Sequence, residues 1–139
     1  MGVRAPALCL LACFALVPVA CGDDDKSSSG KEESEATASP QKAVAEIATV
    51  KELLAEAVKQ VEDGDRAAAE ETVSEAYVEH FEIVEGPLEK VDEELNEELE
   101  EKIREQLRDE IKNDAPATEV KKLVGEIDGE LDTAAKKLE

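Results

Sequence analysis

The chain has 139 residues, a length typical of one domain, and a formal charge of −20 at pH 7. This acidity excludes binding to nucleic acid or to anionic lipid headgroups through a basic face, because both need clustered Lys and Arg side chains. The sequence contains no HExxH, GxSxG, Walker or GxGxxG motif, and we expect no enzymatic activity.

The N-terminal segment predicts export. Residues 1–4 are short and positively charged, and residues 5–20 are apolar and contain no charge. An apolar run of this length is too short to span a bilayer comfortably but fits the hydrophobic region of a signal peptide. We therefore expect residues 1–20 to be a signal peptide.

The end of this segment, residues 17–22 (VPVACG), resembles the bacterial lipobox, in which small residues precede a cysteine that is diacylated. The resemblance implies that Cys21 becomes the acylated N-terminus, at the extracytoplasmic face of the bacterial cell membrane. Cys9 and Cys13 would be removed with the signal peptide, so no internal disulfide is expected. A cleaved signal without a lipid and an uncleaved anchor are the alternatives.

Residues 22–40 contain no Val, Ile, Leu or aromatic side chain. Such a segment cannot bury enough apolar surface to offset chain entropy, so residues 21–40 are interpreted as the acylated cysteine followed by a flexible tether. Residues 41–139 remain as the folded domain.

This domain shows helical periodicity and no strand pattern. The expected helices cover residues 41–62, 65–85, about 87 or 92 to 112, and 116–138. Gly86 and Pro87 are expected to end the second helix, since proline disfavours helical conformation at the residue before it. Because the connections are short, the fold class is all-α, an antiparallel bundle of three to four helices.

The third helix has apolar residues four apart: Val91, Leu95, Leu99, Ile103, Leu107 and Ile111. Four residues turn about 400°, so this row winds around the helix. We expect the helix to cross its partner steeply or to contact two neighbours in turn. In the fourth helix, Gly125 and Gly129 are expected to loosen the helix or to admit a close neighbour.

The second helix carries Tyr77, His80 and Phe81 beside several glutamates. Tyr77 and Phe81, four residues apart, are interpreted as core anchors. Glu75, Glu79 and Glu82 follow one another at helical spacing, and carboxylates with an imidazole suit iron or manganese. The alternative is a solvated acidic face.

His80 has no carboxylate three or four residues away on its own helix. A metal site that used His80 would therefore need ligands from another helix, which we expect to be the third or fourth. The alternatives are a hydrogen-bonded histidine within the bundle and a pH-sensing residue.

Residues 76–111 resemble the extracytoplasmic helical domain of bacterial high-affinity iron permeases. The resemblance is carried by Tyr77, His80, Phe81, Glu82, Glu85, Pro87 and Leu88, then Asp92, Leu95, Leu99, Glu100, Ile103, Arg104, Leu107 and Arg108. It implies a metal-ligand set of Glu79, His80, Glu82 and Glu85, with iron as the metal. It also implies an iron permease as partner, but not transport itself.

Two functions are therefore expected from the sequence. The first is an exported lipoprotein that acts as an accessory or metal-capturing module linked to iron uptake. The alternative is a structural lipoprotein without metal or catalysis, whose charged surface contacts another protein of the cell envelope.

Overall fold

The computed structural model describes residues 38–139, which form four helices. Helix α1 is Pro40–Asp63, helix α2 covers residues 66–89, helix α3 covers residues 93–112, and helix α4 is Ala117–Leu138. The prediction of an all-α bundle is confirmed. The expected signal peptide, Cys21 and most of the tether lie outside the described residues.

Two of the four helices contain a π-helical turn. Helix α2 consists of Arg66–Glu75, the π turn Ala76–Phe81 and Glu82–Glu89, which follow one another without a break. Helix α3 consists of Glu93–Glu101, the π turn Lys102–Gln106 and Leu107–Lys112. Such turns arise where one extra residue is accommodated in an α-helix.

The helices pack in chain order around one aliphatic core. Each helix contacts the next, and α1 also contacts α4, which closes the ring. The connections are short, so neighbouring helices run antiparallel. The core consists of Val, Leu, Ile and Ala side chains together with Tyr77 and Phe81, so both aromatic residues are the core anchors that the sequence predicted.

Polar side chains set the starts of the first three helices. Each start is capped by an oxygen that accepts a hydrogen bond from a first-turn N–H: Ser39 from Lys42, Asp65 from Ala68, and Asp92 from Leu95. Helix α1 is capped at its C-terminal end by Gly64, whose φ of 85° is a left-handed conformation that glycine adopts without steric cost. Caps of these types satisfy backbone groups that a helix terminus leaves unpaired.

The predicted end of α2 at Gly86 and Pro87 is wrong. The helix continues through Pro87 to Glu89, and Val84, Pro87 and Leu88 are all buried. The residue before this proline is a glycine, which has no Cβ to clash with the proline ring, so helical conformation is tolerated there. Continuation places Leu88 in the core, and this burial outweighs the backbone hydrogen bond that proline cannot donate.

The apolar row of α3 is buried from Leu95 to Ile111. Val91 is not part of it, because it lies before the helix and is 53% exposed. The row contacts both α2 and α4, which is one of the two expected solutions. The π turn helps to keep this row buried. Four residues of α-helix rotate about 40° more than a full turn, but the wider π turn removes this excess rotation. Leu107 therefore faces the core again.

Gly125 and Gly129 do not admit a close neighbour. Both are exposed, and a Cβ added at either position would meet no side chain and no other helix within 4 Å. Within residues 38–139, no helix combines the length and the apolar character needed to cross a bilayer.

Candidate functional site

The four residues expected to bind metal are divided between two places. Glu79, Glu82 and Glu85 line an open groove beside the C-terminal half of α2. His80 is not among the residues that line this groove and instead contacts helix α1. In the part of the chain that the structure describes, no three His, Cys, Asp or Glu side chains are placed to share a metal ion.

His80 pairs with a carboxylate that the sequence analysis did not identify. Its Nδ1 lies 2.7 Å from Oε2 of Glu46, and both side chains are mostly buried between α1 and α2. An ionised carboxylate only accepts hydrogen bonds, so Nδ1 carries the hydrogen and Nε2 of a neutral ring is left as an acceptor. The partner therefore comes from α1, not from α3 or α4 as expected.

The π turn of α2 brings Tyr77 and Glu85 together. The Tyr77 hydroxyl donates a hydrogen bond of 2.9 Å to Oε1 of Glu85, eight residues later. Eight residues of α-helix turn about 800°, which would separate the two side chains by about 80°. Because the π turn absorbs an extra residue, the eight residues nearly complete two turns, and the two side chains meet.

Helix α3 adds a cation to this contact. The guanidinium carbon of Arg104 lies 5.9 Å from the centroid of the Tyr77 ring, and Nη1 donates to Glu100 at 2.5 Å. Arg104 belongs to the π turn of α3 and Tyr77 to the π turn of α2, so one side chain from each π turn meets at the α2–α3 interface. A cation over an aromatic face is a favourable contact.

The environment raises the pKa of both Tyr77 and Glu85. Burial raises the pKa of the Tyr77 phenol to about 12, with Arg104 opposing the change and Glu85 adding to it. Burial also raises the pKa of Glu85; the phenol hydrogen bond opposes this, while the nearby carboxylates of Glu100 and Glu82 add to it. The contact is therefore most stable with a protonated phenol.

The groove beside α2 combines apolar and acidic surface. It has a volume of about 740 Å³ and lies between the start of α1, at Ala38 and Lys42, and residues 78–89 of α2. Val78, at one end, is 52% exposed, and Ile83 and Pro87 also line the groove. Its chemical character is therefore that of an apolar strip bordered by carboxylates.

Helix α2 is acidic and unneutralised along its length. It contains no Lys or Arg after Arg66 and carries seven glutamates: Glu70, Glu71, Glu75, Glu79, Glu82, Glu85 and Glu89. Among residues 38–139, none of these seven forms an ion pair with Lys or Arg, whereas lysines connect α1 to α4 and α3 to α4. The negative charge of the bundle is thus least balanced on α2.

The sequence carried only part of the information about these contacts. Glu46 lies one position before Ile47 in the buried stripe of α1, so its half-buried position could have been predicted, but not its neighbour. In the sequence, Arg104 stands out only through the resemblance, because its contact with Tyr77 depends on both π turns.

Comparison of this chain with protein-family models, curated proteins and solved structures found no match.

Proposed function

We propose that the protein is an exported lipoprotein whose helical bundle presents the glutamates of α2 to a cationic protein of the cell envelope. The observation that carries the proposal is that α2 holds seven glutamates, none of which has a Lys or Arg partner among residues 38–139. Unneutralised carboxylates on one helix produce a local negative potential that attracts and orients positively charged partners.

Anchoring through Cys21 rests on the lipobox resemblance of residues 17–22. Metabolic labelling with a clickable fatty acid should mark the wild-type chain, and the labelled chain should fractionate with membranes. Cys21→Ser should lose the label and move to the soluble exported fraction. A chain that stays unlabelled, or a Cys21→Ser variant that is still labelled, would overturn the lipid anchor.

The interaction is tested by placing a photo-crosslinking residue at Glu71 on α2 or at Ala55 on α1, both of which are exposed. In cells that make the protein natively, Glu71 should give a discrete adduct that weakens as salt is raised, and Ala55 should give none. Equal adducts from both positions, or none from either, would contradict the proposal.

Metal capture for iron uptake is the second candidate. Glu79, Glu82 and Glu85 share one groove, and a histidine whose Nδ1–H is held by a carboxylate, as in His80 with Glu46, is the usual arrangement of a metal ligand. Titration of the full chain in detergent with Fe(II) or Mn(II) by calorimetry should show stoichiometric binding. Glu82→Gln should weaken it where the groove carboxylates hold the ion, and His80→Ala should weaken it where the histidine does. Absence of stoichiometric binding would rule this candidate out.

A further inference from the structure

We infer that the groove between α1 and α2 binds a short cationic amphipathic segment of the partner protein. This inference rests on the proposed function and names the chemistry of the partner. The segment would place an apolar side chain on Val78 and Ile83 and basic side chains against the carboxylates that border the groove.

The apolar strip requires more of a partner than positive charge. Val78 and Val91 are the two large hydrophobic side chains that are more than half exposed among residues 38–139. Val91 lies in the connection before α3, but Val78 lies in the groove, where Ile83 and Pro87 extend the apolar surface. A partner that covers this strip removes apolar area from water, which a purely hydrophilic polycation does not do.

The border of the groove selects the sign of the partner's charge. Glu79, Glu82 and Glu89 line the groove and, within the described residues, form no ion pair with Lys or Arg. Among residues 38–139, Lys42 is the single basic residue that lines it. Opposite charge on the partner would therefore meet carboxylates that are already exposed, with little need to break existing pairs.

The dimensions fit a segment of a few turns. Residues 78–89 of α2 extend over about 17 Å at 1.5 Å per residue. A helical segment of about eleven residues, or an extended one of about five, covers this length. Amphipathic helices that place one apolar row in a groove are a common mode of peptide recognition.

The test compares two peptides of about ten residues, measured by fluorescence anisotropy with the full-length protein in detergent at physiological salt. One peptide alternates lysines and leucines at helical spacing, and the other has the same lysines with serines in place of the leucines. The leucine peptide should bind at least about fivefold more tightly, the difference expected for covering one apolar side chain.

Variants then locate the binding site. Val78→Ser should abolish the preference for the leucine peptide. Val91→Ser is the matched control, because both valines are about equally exposed, and it should preserve the preference because Val91 does not line the groove. Glu79→Gln with Glu82→Gln should weaken binding about three- to tenfold, whereas Glu71→Gln with Glu75→Gln, on the same helix outside the groove, should weaken it less.

The outcomes separate this inference from the function on which it rests. Equal binding of both peptides, unaffected by Val78→Ser, would overturn the groove as the site but leave an acidic surface that attracts cations. Absence of binding by either peptide would overturn both. Self-association that sedimentation shows to be lost in Val78→Ser would identify the occupant as a second copy of the chain and overturn the cationic partner.

Discussion

Tyr77 reports on the contact between α2 and α3, because the chain has one tyrosine and no tryptophan. Tyr77 is 8% exposed and its phenol donates a hydrogen bond to Glu85, so the protonated form is favoured by the folded state. The pKa of Tyr77 can be measured in solution and therefore reports on the geometry of the π turn in α2.

We expect the Tyr77 phenol to titrate near pH 12 in the folded protein, against about 10 in the unfolded chain. A pKa that is raised on folding contributes stability that is fully present below pH 10 and is lost as the pH rises through 12. The loss amounts to at most about 2–3 kcal/mol. Tyrosinate absorbance against pH gives the midpoint directly.

Tyr77→Phe is the control for this titration. Lysines also lose their protons at high pH, so only the difference between the unfolding free energies of wild type and Tyr77→Phe isolates the phenol. That difference should shrink between pH 10 and 12. Because burial is the largest cause of the raised pKa, a midpoint at pH 10 in the folded protein would show that the Tyr77 phenol is not buried in solution as it is in the structure.

Arg66 joins the start of α2 to the end of α3. Its Nη1 donates to the Ile111 carbonyl at 3.1 Å, its Nη2 donates to the Ala115 carbonyl at 2.6 Å, and its Nε lies 3.1 Å from Asp114. Asp114 has a φ of 57°, so the guanidinium also holds a turn in a conformation that few residues adopt. The planar fork of arginine suits this set of acceptors.

Arg66→Ala is expected to destabilise the protein by about 2 kcal/mol in urea unfolding, because two backbone carbonyls lose a charged donor. Arg66→Lys should recover less than half of the loss, since one ammonium cannot reach all three acceptors. Asp114→Asn, which removes only an exposed ion pair, should change the free energy of unfolding by about 0.5 kcal/mol or less. Equal losses for Arg66→Ala and Asp114→Asn would assign the effect to the ion pair instead.

At the scale of elements, the two π turns decide which side chains of α2 and α3 meet. In α3 the turn at Lys102–Gln106 returns the apolar row to the core after Ile103. If the turn accommodates one surplus residue, removing that residue leaves Ile103 and Leu107 three apart, and an ordinary α-helix then carries the whole row on one side.

Deletion of exposed Glu105 should therefore yield a folded protein whose stability lies within about 1 kcal/mol of the wild type. Deletion of exposed Glu52 from α1, which has no π turn, should rotate the following residues by about 100° and remove Leu54 and Val58 from the core. Circular dichroism and thermal unfolding distinguish the two deletions. Unfolding of the Glu105 deletion would contradict the assignment of a surplus residue.

The same elements show what could be predicted from the sequence. The helices follow from apolar spacing, because burial of one stripe per helix dominates the energetics of a bundle. The helix end predicted at Gly86 and Pro87 is wrong because the burial of Leu88 outweighs the low helix propensity of these two residues. The π turns, and with them the Tyr77–Arg104 contact, depend on how neighbouring helices pack, and spacing measured along one helix contains no information about its neighbours.

For the whole molecule, the formal charge of −20 is a source of internal repulsion. Lysines neutralise part of it between α1 and α4 and between α3 and α4, but the glutamates of α2 lack such partners among residues 38–139. Under the proposed function, these unpaired carboxylates form the binding face, and their mutual repulsion lowers the folding stability. A protein of this kind is expected to respond to ionic strength more than one with balanced charge.

We expect the Tm to rise by several degrees between about 10 mM and 1 M NaCl, because the Debye length falls from about 30 Å to about 3 Å and screens repulsion along α2. Glu71→Gln with Glu75→Gln, which removes two of the repelling charges, should raise the Tm at low salt and reduce its increase with salt. The chemically identical change at Glu56 and Glu62 should do neither, because both carboxylates pair with lysines, Lys59 and Lys121. A Tm that does not depend on salt, or an equal response of the two double variants, would show that the charge on α2 is balanced in solution.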